Sequence, residues 1–363
     1  MKIAIVHDFL NQFGGAERVV EALHEVFPDA PIYTSIYDEN ALPTAFKQMD
    51  IRTSFMQKIP FISAMFRYYF FLYPLAFNSF DLSEYDVILS SSSAFAKGIR
   101  KAPGQLHICY CYTPMRFAWR YEDYVKKARI PEYQKYFLPY LLEPIRDWDL
   151  KNSESVDHFV AISKFVAHRI RKIYKRESDI IYPPVDTDNF RILDNDKDYF
   201  LVVSRLVSYK RVDLVVDAFN ELGFPLFIIG DGPERKELEK KSQENIRFLG
   251  KLSDQDLSKY VAECRALIFP GEEDFGITPL EAMACGRPVI AYRAGGAEET
   301  VNEPETGMFF DRQEPEELAN AVKKFVFECY DKRKIRQHAM AFDRKNFKKL
   351  IWEYVNEKFE KRD

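Results

Sequence analysis

Two glutamates, Glu273 and Glu281, stand with seven residues between them in EEDFGITPLEAMACGRPVIA, residues 272–291, between the apolar run Ala266 to Phe269 and a second run. In a parallel α/β sheet this pattern reads as strand, loop, helix, strand. Pro279 suits the first helical position, Leu280 to Cys285 continue the helix, and Gly286 ends it. Ligands of such sheets bind beyond the carboxyl ends of the strands, where Gly271 to Thr278 must lie. Glu273 then belongs to the loop and Glu281 to the first helical turn. Amides near Gly276 and Ile277, at a helix N-terminus, can hold phosphate oxygens through aligned donors and the macrodipole. Two carboxylates flanking such a site suit hydroxyls, as on sugars either side of a diphosphate. The structural alternative makes Thr278-x-x-Glu281 a capping box and Glu273 part of the acidic run Glu272 to Asp274.

A second loop adds cations. VVSRLVSYKRVDLVVDAF reads as a strand to Ser204, a loop, and a helix with Val212, Val215, Val216 and Phe219 as its inward stripe. Arg205 and Lys210 project from that loop and could neutralise a diphosphate leaving group. Taken singly, each would be a solvated surface charge. In HDFLNQFGGAERVVEAL a strand ends and Gly14-Gly15 precedes a helix. The pattern is not GxGxxG, which weakens a dinucleotide reading. Adjacent glycines admit close backbone approach to a ligand, or simply form a tight turn.

Parallel strands joined by crossover helices must position these loops. Strands are predicted at Lys2 to Val6, near Ile32 to Ser35, at Val87 to Ser90, His107 to Tyr112 and His158 to Ile162. A second set is predicted at Tyr199 to Ser204, Leu226 to Ile229, Ile246 to Phe248, Ala266 to Phe269 and Pro288 to Tyr292. YPPVDTDNFRILDNDKD, Tyr182 to Asp198, reads as an exposed linker between two α/β halves. After Arg312 the pattern is helical, and Phe347, Leu350, Ile351, Tyr354, Val355 and Phe359 fall close to one face of a final helix.

A chain of 363 residues exceeds the ~250–300 that one core fills, so two domains are expected. Apolar residues at 47% and charged residues at 30% describe a globular protein. With 52 basic and 56 acidic residues interleaved, the net charge of -4 supplies no field for nucleic acid as a main partner. Five scattered cysteines form neither a zinc pattern nor a disulfide framework and fit a reducing cytoplasm. MKIAIVHDFL reads as a strand, without the features of a signal peptide. Asp-x-Asp pairs occur at Asp147/Asp149, Asp186/Asp188, Asp194/Asp196 and Asp196/Asp198, but their spacing alone does not converge the oxygens a hard cation needs. IPFISAMFRYYFFLYPLAF, Ile59 to Phe77, carries Arg67 and two prolines and is a poor spanning helix. It reads either as a surface for membrane or lipid acceptor, or as a buried helix with a hydrophobic loop.

In chain order, FGGAERV, SRLVSYKRVD, IIGDGPERKELE, FLGKLSD and the Glu, seven residues, Glu stretch together resemble the family 4 glycosyltransferases of the GT-B fold, over nearly the whole chain. The resemblance implies an α/β architecture of two Rossmann-like domains facing across a cleft that holds a nucleotide sugar. Residues 1–185 would be the acceptor domain and 186–341 the donor domain, with a C-terminal helix at about 342–363 crossing back to the first. It further implies that Glu281 binds the ribose and Glu273 the donor sugar, while Arg205 and Lys210 hold the diphosphate, assisted by amides of Phe275, Gly276, Ile277 and Thr278. Gly14 and Gly15 would approach the donor, and Gly250, Lys251 and Leu252 would line the base pocket. No metal and no cofactor beyond the donor substrate is implied, and the anomeric configuration would be retained.

CYTPMRFAWRYEDY and IIYPPVDTDNF are similar to the mannosyltransferase branch of surface-polysaccharide assembly. That branch implies mannose from GDP-mannose. The expected acceptor is a glycan or polyprenyl-diphosphate-linked glycan, which Ile59 to Phe77 would address from the cytoplasm at the inner membrane face. One departure stands out: the family commonly has a sugar-contacting histidine where this chain has Tyr112, a donor-binding candidate that can hydrogen-bond a hydroxyl but is a poor proton carrier at neutral pH, so either the sugar contact is remodelled or the donor differs. Without an obvious nucleophile, same-face attack is the expected chemistry, the acceptor proton passing to the departing β-phosphate oxygen. The alternatives are a UDP-sugar transferase, a UDP-sugar epimerase of the same architecture, and an inactive nucleotide-sugar-binding subunit.

Overall fold

A computed structural model describes residues 1–121 and 132–362. Glu122 to Tyr124, the end of CYTPMRFAWRYEDY, lie outside the described residues. The chain divides into two compact units, Met1–Pro184 with Lys345–Asp363, and Val185–Arg344.

Unit 1 is built on parallel strands β1 (Ile3–His7), β2 (Ile32–Thr34), β3 (Ile51–Thr53), β4 (Val87–Ser92), β5 (Leu106–Cys111), β6 (His158–Ala161) and β7 (Ser178–Ile180). Their order is β3-β2-β1-β4-β5-β6-β7. Every residue of β1, β4 and β5 is buried, because a parallel sheet is covered on both faces and its central strands read as continuous apolar runs. The order reverses between β1 and β4, which opens a crevice at the carboxyl ends of those two strands.

Unit 2 repeats the plan with β8 (Phe200–Val203), β9 (Leu226–Ile229), β10 (Ile246–Gly250), β11 (Ala266–Phe269), β12 (Val289–Tyr292) and β13 (Gly307–Phe310). Their order is β10-β9-β8-β11-β12-β13, with the reversal between β8 and β11. The expected stripe Val212, Val215, Val216 and Phe219 is fully buried in the core on one side of this sheet.

The ten expected strands all occur within a residue or two of their predicted ends. Three further strands, β3, β7 and β13, are sheet edges of three or four residues. An edge strand needs neither length nor two apolar faces, so its sequence carries little signal. The segment read as an exposed linker runs from the end of unit 1 into the first stretch of unit 2, and Arg191 to Asp198 are almost all exposed, as read, while its first half is not. Val185 and Phe190 are buried, Val185 bridges Asp343, and Asp196 pairs with Arg287 and Lys332. The partners of Asp196 are not visible in the sequence because Arg287 and Lys332 lie far along the chain.

The final helix, Arg344–Glu360, covers the β5–β7 side of unit 1. Phe347 meets the Tyr110 ring at 5.7 Å, and Tyr354 Oη donates to Asp179 at 2.8 Å. Its buried stripe is Phe347, Ile351 and Val355; Leu350, expected on that face, is 48% exposed because it lies off the four-residue repeat. Within Ile59 to Phe77, Ile62, Tyr73, Ala76 and Phe77 enter the core, whereas Phe61, Tyr68, Phe71 and Leu75 are exposed. Part of the segment is thus buried, as the second reading expects, and part is exposed apolar surface. Among the described residues, no helix is long and apolar enough to cross a membrane.

Candidate functional site

In unit 2 the loops after β8 and β11 adjoin at the strand-order reversal. Lys210, ending the β8 loop, pairs through Nζ with Glu273 Oε1 of the β11 loop. The two side chains are 16% and 23% exposed, so the pair lies at the mouth of the crevice. Arg211, in the left-handed region at φ 55°, donates from Nη1 to Gln313 Oε1 at 3.2 Å, and Gln313 Nε2 donates to the Pro270 carbonyl at 2.8 Å. This brace holds the two loops together. Arg205 is exposed and donates from Nη2 to Tyr209 Oη at 2.9 Å. Its backbone is fixed by the β9 loop: Leu206 N donates to Asp231 O at 3.0 Å, and Glu234 N to Leu206 O at 3.2 Å. Gly230 N donates to Gly250 O at 2.8 Å, which joins the Gly250 to Leu252 turn to the same group of loops, with Lys251 exposed.

The helix after the β11 loop runs Ile277–Ala284, with Gly276 at its N-cap in the left-handed region (φ 90°). No side chain caps it. Pro279 is therefore the third helical residue rather than the first, and the Thr278-x-x-Glu281 capping box does not form, because the helix begins two residues earlier than a box would need. Glu281 is the fifth residue, in the second turn, and is buried at 7% exposure. Phe275 is also buried, its ring 5.9 Å from Phe342 and its backbone close against Gly296. Sequence reasoning missed the support of Glu273. Its carbonyl accepts from Gly296 N at 2.8 Å, and it bridges Gly295, where a Cβ would come 2.3 Å from the Glu273 oxygen. The signal was available as a Gly-Gly pair with two residues between it and a predicted strand. Burial pushes the Cys264 and Cys285 thiols up to about 12, so neither is a thiolate nucleophile at neutral pH.

In unit 1, Gly14 is the N-cap of the Gly15–Val26 helix, and its amide donates to Glu17 Oε2 at 2.8 Å. Tyr112 does not extend freely from the end of β5. Its hydroxyl lies 2.7 Å from Ser91 Oγ and donates to the Ala16 carbonyl at 3.0 Å. The phenol thus reaches beneath the Gly14–Gly15 turn, where a sugar-contacting group had been expected. Asp8, also unforeseen, accepts five hydrogen bonds of 2.6–3.0 Å from Ser93 to Ala96, four of them from backbone amides, and so fixes the loop after β4 to the end of β1. Asp149, one of the Asp-x-Asp carboxylates, is fully buried against Lys97 and accepts from Trp119 Nε1 at 2.7 Å and Tyr174 Oη at 2.8 Å.

Two parallel-sheet units, each with its loops gathered at a strand-order reversal, and in the second a cation and carboxylate beside a helix N-terminus, define a glycosyltransferase of the GT-B type. Residues 13–189 match the family described as Glycosyltransferase Family 4, and residues 186–340 that described as Glycosyl transferases group 1. The chain belongs to these glycosyltransferases. It is 30% identical to the uncharacterized glycosyltransferase MJ1178 of Methanocaldococcus jannaschii, over 54% of this chain and 56% of that protein. It is 22% identical to the alpha-1,3/1,6-mannosyltransferase ALG2 of Rhizomucor pusillus, over 93% and 86%. A GDP-mannose-dependent phosphatidylinositol monomannoside mannosyltransferase of Mycobacterium tuberculosis is 27% identical over 48% and 54%. The chain thus spans about half the length of several curated relatives it matches. Among solved structures, sucrose-phosphate synthase of Thermosynechococcus elongatus superposes with a TM-score of 0.79 at 18% identity, covering all of both chains. Anabaena Alr3699/HepE in complex with UDP gives 0.72 at 18%, covering 98% and 100%.

Proposed function

We propose that this glycosyltransferase moves mannose from GDP-mannose to a glycan or lipid-linked glycan acceptor, without a metal and with retention of configuration. The observation that carries the reading is the Lys210–Glu273 pair at the β8/β11 reversal, directly before an uncapped helix N-terminus. A diphosphate entering there meets Lys210, Arg205 and the amides of Gly276 to Thr278. Glu273 then exchanges its ammonium partner for sugar hydroxyls, Glu281 takes the ribose hydroxyls, and Gly250 to Leu252 take the base. Gly14 and Gly15 contribute backbone to donor binding. The mannosyl branch is supported by the names of the two mannosyltransferases above.

In the reaction the acceptor oxygen bonds to the anomeric carbon as the bond from that carbon to the β-phosphate oxygen breaks. The acceptor proton passes to the departing oxygen on the same face, while Arg205 and Lys210 stabilise the charge gathering on the diphosphate. The exposed Phe61 (82%), Tyr68 (73%) and Leu75 (61%), beside Lys58 and Arg67, suit an acceptor presented by a polyprenyl diphosphate at a membrane surface.

Calorimetric titration with GDP and with UDP, repeated on Glu281→Ala and Arg205→Ala, tests the reading. GDP should bind more tightly than UDP, and each variant should lose about 10- to 100-fold in affinity, the worth of a hydrogen bond to a charged group. A preference for UDP overturns the mannosyl branch. Unchanged affinity in both variants overturns the site.

A further inference from the structure

The Gly14–Gly15 turn stands on buried polar side chains that the proposed chemistry does not use. His7 (2% exposed), Glu17 (1%), Ser91 (0%) and Tyr112 (9%) come from β1, the first helix, β4 and the end of β5, so four elements converge under one turn. One assignment of protons satisfies the chain of contacts. His7 Nδ1 donates to the Ser91 carbonyl at 3.0 Å, Ser91 Oγ donates to Tyr112 Oη at 2.7 Å, and Tyr112 Oη donates to the Ala16 carbonyl at 3.0 Å. From the other side, Glu17 accepts from the Gly14 amide at 2.8 Å, with its second oxygen 4.0 Å from His7 Nε2. The turn is thereby held at both Gly14 and Ala16, while Gly15 between them is exposed.

Packing alone does not require this. Buried polar groups cost stability unless fully bonded, and an apolar set of similar volume would hold a helix start as firmly. Nor does the backbone require glycine at residue 14, whose φ of -147° is open to any residue. A Cβ there would instead crowd the capping carboxylate, at 3.2 Å from Glu17 Oε2. The arrangement fixes the shape of a bare backbone turn whose outer face is left open.

We infer that Tyr112 is a positioning residue for the donor: through Ser91 and the Ala16 carbonyl it sets the conformation of the Gly14–Gly15 turn, and it does not itself touch the sugar. The inference rests on the proposed role of that turn in donor binding. It also accounts for a tyrosine at a position where a proton-carrying side chain had been expected, since the hydroxyl needs reach and a single donor here, not acidity.

The test uses the full chain, with steady-state turnover of GDP-mannose and UDP-glucose and calorimetric binding of GDP. Tyr112→Phe keeps the ring and removes only the bridging oxygen. It should raise the donor KM about fivefold to tenfold, with kcat within about twofold and GDP affinity unchanged, as loss of binding felt equally in ground and transition states requires. Glu17→Ala should give the same split. A second substitution, Ser91→Ala in the Tyr112→Phe background, should add little, because both remove one relay. Wild-type KM in Tyr112→Phe overturns the inference, and so does a fall in kcat at unchanged KM that tracks the folded fraction, the mark of a merely structural role. A wild-type protein that turns over neither donor, or a Glu281→Ala variant that still binds nucleotide normally, overturns instead the donor-site reading on which the inference rests.

Discussion

Each unit pairs a lysine with a carboxylate near its strand-order reversal, and the two pairs serve opposite ends. In each the lysine is on the loop leaving a strand at that reversal. In unit 1, Lys97 and Asp149 are 2% and 0% exposed, and Asp149 is further saturated by Trp119 and Tyr174. Burial alone would push the Lys97 ammonium down, but Asp149, joined by the smaller influence of Cys109 and Cys111, holds the group above its ordinary value. In unit 2, Lys210 and Glu273 keep contact with water. The first pair has no capacity left for a ligand and can act only as scaffold. The second can change partners at small cost, which is what a site for an anion between hydroxyls demands.

The largest effect that would test this contrast lies in unit 1. Lys97→Met should destabilise unit 1 by about 3–5 kcal/mol, because it leaves Asp149 as a buried carboxylate without its cation. Adding Asp149→Leu should recover much of that loss, since an apolar pair of similar volume avoids the desolvation cost altogether. All three tryptophans, Trp119, Trp148 and Trp352, belong to unit 1, so urea unfolding followed by tryptophan fluorescence reports on that unit. A Lys97→Met protein of wild-type stability would break the comparison.

A smaller effect sharpens it through pH. His107 in β5 is fully buried with Nε2 2.8 Å from Ser90 Oγ, and burial pushes its imidazole from 6.5 down to about 4, against the raising influence of Asp157 and together with the lowering influence of Lys101 and Lys97. Its folded value lies below its unfolded one, so the unfolded chain binds the proton more readily. Stability from neutral His107 is therefore complete above about pH 6.5 and is lost as the pH falls toward 4, to a total of about 3 kcal/mol. Urea titrations at pH 7.5 and 4.5 should show unit 1 weakening across that window, with a shallower slope in His107→Gln. An unchanged slope in the variant would mean that other groups carry the acid response of unit 1.

How far these features could be read from the chain alone follows from the distance between partners. The central strands were legible because burial on both faces makes them continuous apolar runs, and the β8 and β11 loops because their charged residues are close together in sequence. Edge strands such as Ser178–Ile180 carry neither signal. The scaffold of unit 1 was illegible for a different reason. Asp8 and its partners are 85–88 residues apart, and Tyr112 lies 96 residues from the carbonyl it holds. Asp149 looked like half of an Asp-x-Asp pair because its cation, Lys97, is not its neighbour in sequence. Buried polar networks are specified by topology, and only the fold brings their members together.

The smallest expected effect is the most discriminating. Lys210→Ala removes a pair that is partly solvated on both sides, and such pairs are worth about 0–1 kcal/mol because water and salt already screen them and two long side chains are immobilised in forming them. Thermal or urea unfolding of unit 2 should therefore shift by less than about 1 kcal/mol, while sugar transfer should fall about 100-fold or more if Lys210 faces the leaving diphosphate as proposed. Glu273→Gln should likewise spare stability, since the amide oxygen can still accept from Lys210. If Lys210→Ala instead costs unit 2 as much as Lys97→Met costs unit 1, the two pairs are alike, the mouth of the β8/β11 crevice is scaffold, and Lys210 loses its claim on the diphosphate.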